Sequence, residues 1–65
     1  MTRALMLIDH GGFYEIVGSA EDWEELQRCC AGVTYVGSVR SGDVRGAIYT
    51  VVTLWGELLT YLVRE

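Results

Sequence analysis

The chain contains no lysine, no asparagine and no proline, a single histidine, and two cysteines. Each shortage removes a class of explanation. The cysteines are neighbours, Cys29 and Cys30, and adjacent residues rarely bridge, because a disulfide needs Cα atoms about 4.4–6.8 Å apart with suitably directed Cβ atoms. No secreted-type disulfide framework follows. At least one of the two reads as a small core residue in a reducing cytoplasm; the sharper alternative is a redox or intermolecular thiol. Cysteine and histidine together fall short of the roughly four ligands of a structural zinc site. The acidic residues lack the alternating loop and central glycine of a calcium site. Gly11-Gly12 carries neither phosphate-loop nor dinucleotide fingerprint. No metal and no cofactor is therefore expected. Long apolar runs are missing too. The best membrane candidate, residues 47–63, is shorter than the ~20 residues a span requires and has Glu57 near its middle, where a charge is costly. No charged segment followed by a cleavable apolar run opens the chain, so no signal peptide is expected and the location expected is cytoplasmic.

Lysine is absent, so every basic side chain is an arginine: Arg3, Arg28, Arg40, Arg45 and Arg64. Such usage is a hint of a GC-rich coding region, in a bacterium or one of its phages. Nine acids against five bases give a net charge of −4. That balance argues against direct nucleic-acid binding, which runs on cations neutralising phosphates. What is present is apolar: 51% of 65 residues, with seven aromatics. This suffices for one small core. A chain of this size buries only about 60% of its unfolded surface, and small scaffolds usually need a disulfide, a metal or self-association. Monomer and homodimer both remain open.

Residues 3–8 form an apolar run closed by Asp9-His10-Gly11-Gly12, a strand entering a turn. Residues 13–17, aromatic and β-branched, suit a returning strand. Gly18-Ser19 reads as a break. Ser19 then serves as N-cap, with Asp22 in the third position of a capping box, for a helix over residues 20–31. Trp23, Leu26 and Cys30 form its apolar stripe, Glu24 and Arg28 a pair four apart, and Gly32 its stop. Residues 33–40 alternate as a strand, and Ser41-Gly42-Asp43 signals a turn. The last twenty residues fit two patterns. Val51, Val52, Trp55, Leu58, Leu59, Leu62 and Val63 trace a helical stripe, yet residues 48–53 are rich in branched side chains that lose χ1 freedom in a helix. Strands at about 44–54 and 58–64, turning at Gly56, are preferred. The fold expected is one α+β domain over residues 1–65: an antiparallel sheet with a single helix on one face, in the order β-β-α-β-β-β. Three or four strands with a second, C-terminal helix is the alternative.

No catalytic constellation appears. His10 beside Asp9 at a turn lacks a nucleophile or orienting partner at any telling spacing, so it reads as a solvated turn residue and the chain as no enzyme. The remaining feature is acidic. Glu21, Asp22, Glu24 and Glu25 lie within five residues around Trp23. Acids three or four apart on a helix stand about 5–6 Å from one another, and repeated negative charge at that scale attracts an arginine- or lysine-lined groove. Glu15 and Asp43 extend the candidate partner-binding set, and Glu57 and Glu65 the field. The same acids also complement the positive end of a helix dipole and aid solubility.

A short, acidic, cysteine-poor chain with Glu21, Asp22, Glu24 and Glu25 around Trp23 resembles the small phage-encoded anti-CRISPR proteins, several of which are DNA mimics. The resemblance covers the whole chain in size, charge and aromatic content and involves no motif; a net charge of −4 is mild for a mimic. It implies a stoichiometric inhibitor that occupies the DNA-binding surface of a CRISPR effector, of type I first, in the cytoplasm of an infected bacterium. The alternative is another interaction module, such as an antitoxin, a regulator's partner or an assembly subunit. Such a module would bind through the sheet or an apolar C-terminal stripe, with homodimerisation allowed.

Overall fold

The computed structural model describes residues 2–65. Its elements are β1 (Ala4–Asp9), β2 (Tyr14–Ala20), α1 (Trp23–Arg28), β3 (Cys30–Ser41), β4 (Val44–Thr53) and β5 (Leu58–Arg64). The five strands form one sheet in the order β2-β1-β5-β4-β3, antiparallel throughout. The α+β arrangement expected from the sequence is the one observed.

Local chemistry sets the turns. Asp9 Oδ1 accepts the Gly11 N–H at 2.7 Å, an Asx-type contact that favours reversal, and Gly11 adopts a φ of 90°. Gly42 has a φ of 58° as the first of the two residues between Ser41 and Val44, the place for glycine in a two-residue hairpin. Between β4 and β5, the Thr53 Oγ1 accepts the Glu57 N–H at 2.9 Å and Gly56 closes the loop at a φ of 88°. This last turn decides the ambiguous C-terminal region. Residues 44–64 are a hairpin, and the alternative C-terminal helix is not formed. Val51 and Leu59, Tyr49 and Tyr61, and Ile48 and Leu62 stand opposite one another, and β5 pairs with β1 on its other side. The apolar stretch 47–63 is thus a pair of strands, and no helix among the described residues is long and apolar enough to cross a membrane.

The helix departs from expectation at both ends. It spans Trp23–Arg28, six residues instead of 20–31. Gly18 and Ser19 do not break β2, which runs on to Ala20 because Ala20 and Ser19 pair with Ala4 and Leu5. Ser19 is therefore no cap; its hydroxyl accepts from Arg3 Nη2 at 3.2 Å. Asp22 is the N-cap, in extended backbone, with its carboxylate accepting the Glu25 N–H at 3.2 Å. At the other end Cys30 already pairs with Thr53, and Gly32 lies inside β3 instead of stopping the helix. Sheet pairing from both sides claims residues that local propensity assigns to the helix. Among the described residues Glu24 and Arg28 do not form an ion pair.

Directly opposed residues share a face of the sheet, and both faces are apolar. On one, α1 covers a cluster of Ala4, Trp23, Val51 and Tyr61, with Met6, Leu26, Cys30 and Tyr49 against it. Trp23 is the anchor, its ring 5.1 Å from that of Tyr49 and 6.0 Å from that of Tyr61. The other face centres on Leu7, Ile48 and Leu62, flanked by Leu5, Val39 and Val44. No helix lies over it. The register shifts between Met6 and Leu7 on the β1–β2 ladder and between Tyr35 and Gly37 on the β3–β4 ladder. Bulges of this kind bend and twist a sheet. The three central residues are buried, while Tyr14 and Ile16 on β2, and Val52 and Leu58 near the β4–β5 turn, stay exposed.

Candidate functional site

Glu21, Asp22, Glu24 and Glu25 gather at the start of α1, because Trp23 and Leu26 turn inward three residues apart and leave the intervening positions at the surface. Glu21, Glu24 and Glu25 are exposed and Asp22 is half-buried. Two of the four acids do structural work. Asp22 caps the helix. Glu24 Oε2 accepts the Thr2 N–H at 3.4 Å, while the Trp23 N–H donates to the Thr2 carbonyl at 2.7 Å. The helix start and the N-terminal segment are thereby tied together. A hydrogen bond from its own main-chain N–H, helped by Thr2 and Asp22 and opposed by slight desolvation, holds the Glu24 carboxyl below the usual carboxylate range. Glu21 and Glu25, with Ala20, Leu26 and Cys29, border a shallow recess of about 440 Å³.

The lowered pKa fixes the sign of a pH effect. A carboxyl whose folded pKa lies below its unfolded value adds stability at pH above the unfolded value, and that contribution fades as pH falls through the folded one. Glu24→Gln is expected to lower the melting temperature slightly at neutral pH and to match the wild type in strong acid. Equal melting temperatures at neutral pH would show that the carboxylate charge at this position contributes nothing.

Glu15 and Asp43 are not brought to this cluster. Glu15 stands opposite Ile8, at the far end of β2 from the helix, where it meets His10 Nε2 at 2.8 Å. Asp43 sits in the β3–β4 turn, across the sheet. His10 stacks on Phe13 with ring centroids 4.8 Å apart and remains exposed, as a turn histidine should. Cys29 is exposed and Cys30 half-buried, both as free thiols; Cys30 packs against the Trp23 cluster. Among the described residues no group of three or more His, Cys, Asp and Glu could hold a metal.

The one ion pair among the described residues is His10–Glu15, so no carboxylate of the helix cluster is neutralised by an arginine. Arg40 and Arg45 face each other across β3 and β4, an arrangement of like charge that adds no stability. The second surface feature is apolar. Ile16 is 60% exposed, Leu58 66% and Trp55 76%. A signal for it exists in the sequence: β5 is apolar at both odd and even positions from Leu58 to Val63, and a single helix can cover one face alone. Compared with known proteins, the chain matches no protein-family model, no curated protein and no solved structure.

Proposed function

We propose that this domain is a non-catalytic, stoichiometric inhibitor that presents Glu21, Glu24 and Glu25 to a basic, nucleic-acid-binding surface, with a CRISPR effector complex as the first partner to test, and so blocks DNA binding. The observation that carries this reading is that Glu24 and Glu25 in the first turn of α1 and Glu21 just ahead of its cap all stand exposed, none of them ion-paired within the described residues. Unpaired charge of one sign is free to meet the opposite charge of a partner, which speeds encounter and makes it salt-sensitive. Asp22 is left out of the contact set, because its carboxylate is engaged as the cap. Glu15 and Asp43 lie apart from the set and serve the wider field only.

Reversing Glu21, Glu24 and Glu25 to Lys is expected to weaken binding to the effector by on the order of 100-fold or more, since rim and core charge pairs each govern much of such an association. The fold should survive with a small loss of stability from the reversed charges near the positive end of the helix dipole, checked by circular dichroism. A folded triple variant that inhibits DNA binding as well as the parent sinks the acidic-face reading.

A second reading has its own observation. The Leu7–Ile48–Leu62 face is apolar and lacks a covering layer, so the domain also suits the role of an interaction module that binds through its sheet. Around the buried centre of that face Tyr14, Ile16, Val52 and Leu58 are exposed, and contiguous exposed apolar surface is a mark of association sites.

A further inference from the structure

The uncovered sheet face has a shape and a charge pattern that select an occupant. Its floor is Leu7, Ile48 and Leu62, each at most 7% exposed. Above them lies a hollow of about 460 Å³ walled by Tyr14 and Ile16 on one side and by Val39, Val44 and the edge residues Arg40 and Ser41 on the other. By the strand register the middle of this face is uncharged: Leu5, Leu7, Thr60, Leu62, Ile48 and Thr50 project there. Charge on β1 and β5 enters this face only at its two ends, and Arg3, bonded to Ser19 opposite Leu5, adds a second cation at the Arg64 end. Asp9, opposite Tyr14, stands at one end of β1. Arg64, opposite Gly46, stands at the other end of the neighbouring β5. Both are exposed, and neither is ion-paired among the described residues.

We propose that a second copy of this chain covers the face, in a two-fold homodimer with the sheets stacked and their strands running oppositely, so that Asp9 of each copy meets Arg64 of the other. This rests on the apolar-face reading and names its partner. A two-fold axis makes residue i meet residue j twice, and a face with apolar central strands, a carboxylate at one end and arginine at the other complements itself under that operation. Size argues the same way. The chain exposes 4539 Å², where a compact monomer of 7.3 kDa exposes roughly 4,200 Å². It has free thiols instead of a disulfide and no metal cluster among the described residues, which leaves self-association as the remaining way to strengthen so small a core. Stacking on this face keeps α1 outside, so the dimer displays two acidic helices on opposite sides.

Sedimentation equilibrium over micromolar to millimolar concentrations tests this on the intact chain. The wild type is expected at twice the chain mass. Ile16→Lys and Leu58→Lys each alter an exposed side chain on the face, so both should keep the far-ultraviolet circular dichroism of the parent and sediment as monomers. Asp9→Arg and Arg64→Asp should each weaken the dimer, and the double exchange should restore it. A wild type that remains monomeric at millimolar concentration overturns the proposal. So does a dimer indifferent to both lysine substitutions, which would place the contact elsewhere; failure of the double exchange to restore association overturns the stated orientation. An apolar dye separates the underlying reading from its partner. A monomeric wild type that binds 8-anilinonaphthalene-1-sulfonate, and loses it with Ile16→Lys, keeps the apolar face as a site for a different protein. A monomer that binds no dye removes that reading as well.

Discussion

Replacing Trp23 with Ala is expected to abolish the cooperative thermal transition of this domain. The indole is 6% exposed and is the one buried side chain of α1, lying against Tyr49 and Tyr61. Truncating a buried aromatic to Ala costs about 3–5 kcal/mol. Marginal stability of about 0.05–0.15 kcal/mol per residue puts the whole domain at roughly 3–10 kcal/mol, so one side chain carries a large share. The loss should spread. Without Trp23 the helix keeps its cap but loses its anchor, and six residues are too few to be helical alone, since isolated helices shorter than about 12–15 residues are marginal in water. Trp23→Phe keeps the ring contacts with the tyrosines and should retain a transition at lower temperature. A melting curve for Trp23→Ala within a few degrees of the parent's would show that the sheet is stable without its helix.

Gly46→Ala should come next in size. A Cβ at Gly46 would stand 2.7 Å from Leu62 Cδ1, 2.7 Å from the Val63 carbonyl oxygen and 3.2 Å from Arg64 Cα. The leucine methyl can swing away, but the carbonyl and Cα belong to the paired β5 backbone, and relief requires the β4–β5 ladder to part. Forcing atoms into a packed site costs about 1–3 kcal/mol. Gly37→Ala is the matched control. A Cβ there meets nothing within 4 Å, and its effect should be near neutral or slightly stabilising through the unfolded state. Urea titrations of both variants give the comparison. Equal midpoints for Gly46→Ala and the parent would mean that the strands accommodate the methyl without parting.

The candidate site was half legible. The acids at 21–25 adjoin in sequence and had to adjoin in space on any helix or turn, so their clustering needed no structure. Their use did. Asp22 and Ser19 are both good N-caps by residue type, and the choice between them rests on whether Ala20 pairs with Ala4, a contact between residues sixteen apart. Glu24 holding Thr2 is equally non-local. The apolar face was half visible as well: β5 reads as apolar on both sides, which implies two buried faces for one available helix. Which residues line the exposed half depends on the strand order and on the bulges that curl the sheet.

The strands up to residue 41, the turns at Gly11 and Gly42 and the inward pairing of Trp23 with Leu26 were determined by the sequence alone, because each depends on neighbours within a few residues: side-chain branching, φ freedom and helical spacing. Tertiary structure decided the rest. Residues 48–63 satisfy a helical and a strand period at once, and cross-strand pairing, with β1 bound along the other side of β5, settles them as a hairpin. The same pairing shortens the helix, moves its cap to Asp22 and leaves one apolar face without a layer. These outcomes turn on hydrogen bonds and packing between segments distant in sequence, whose free energy outweighs the few tenths of a kcal/mol per residue by which local propensities differ.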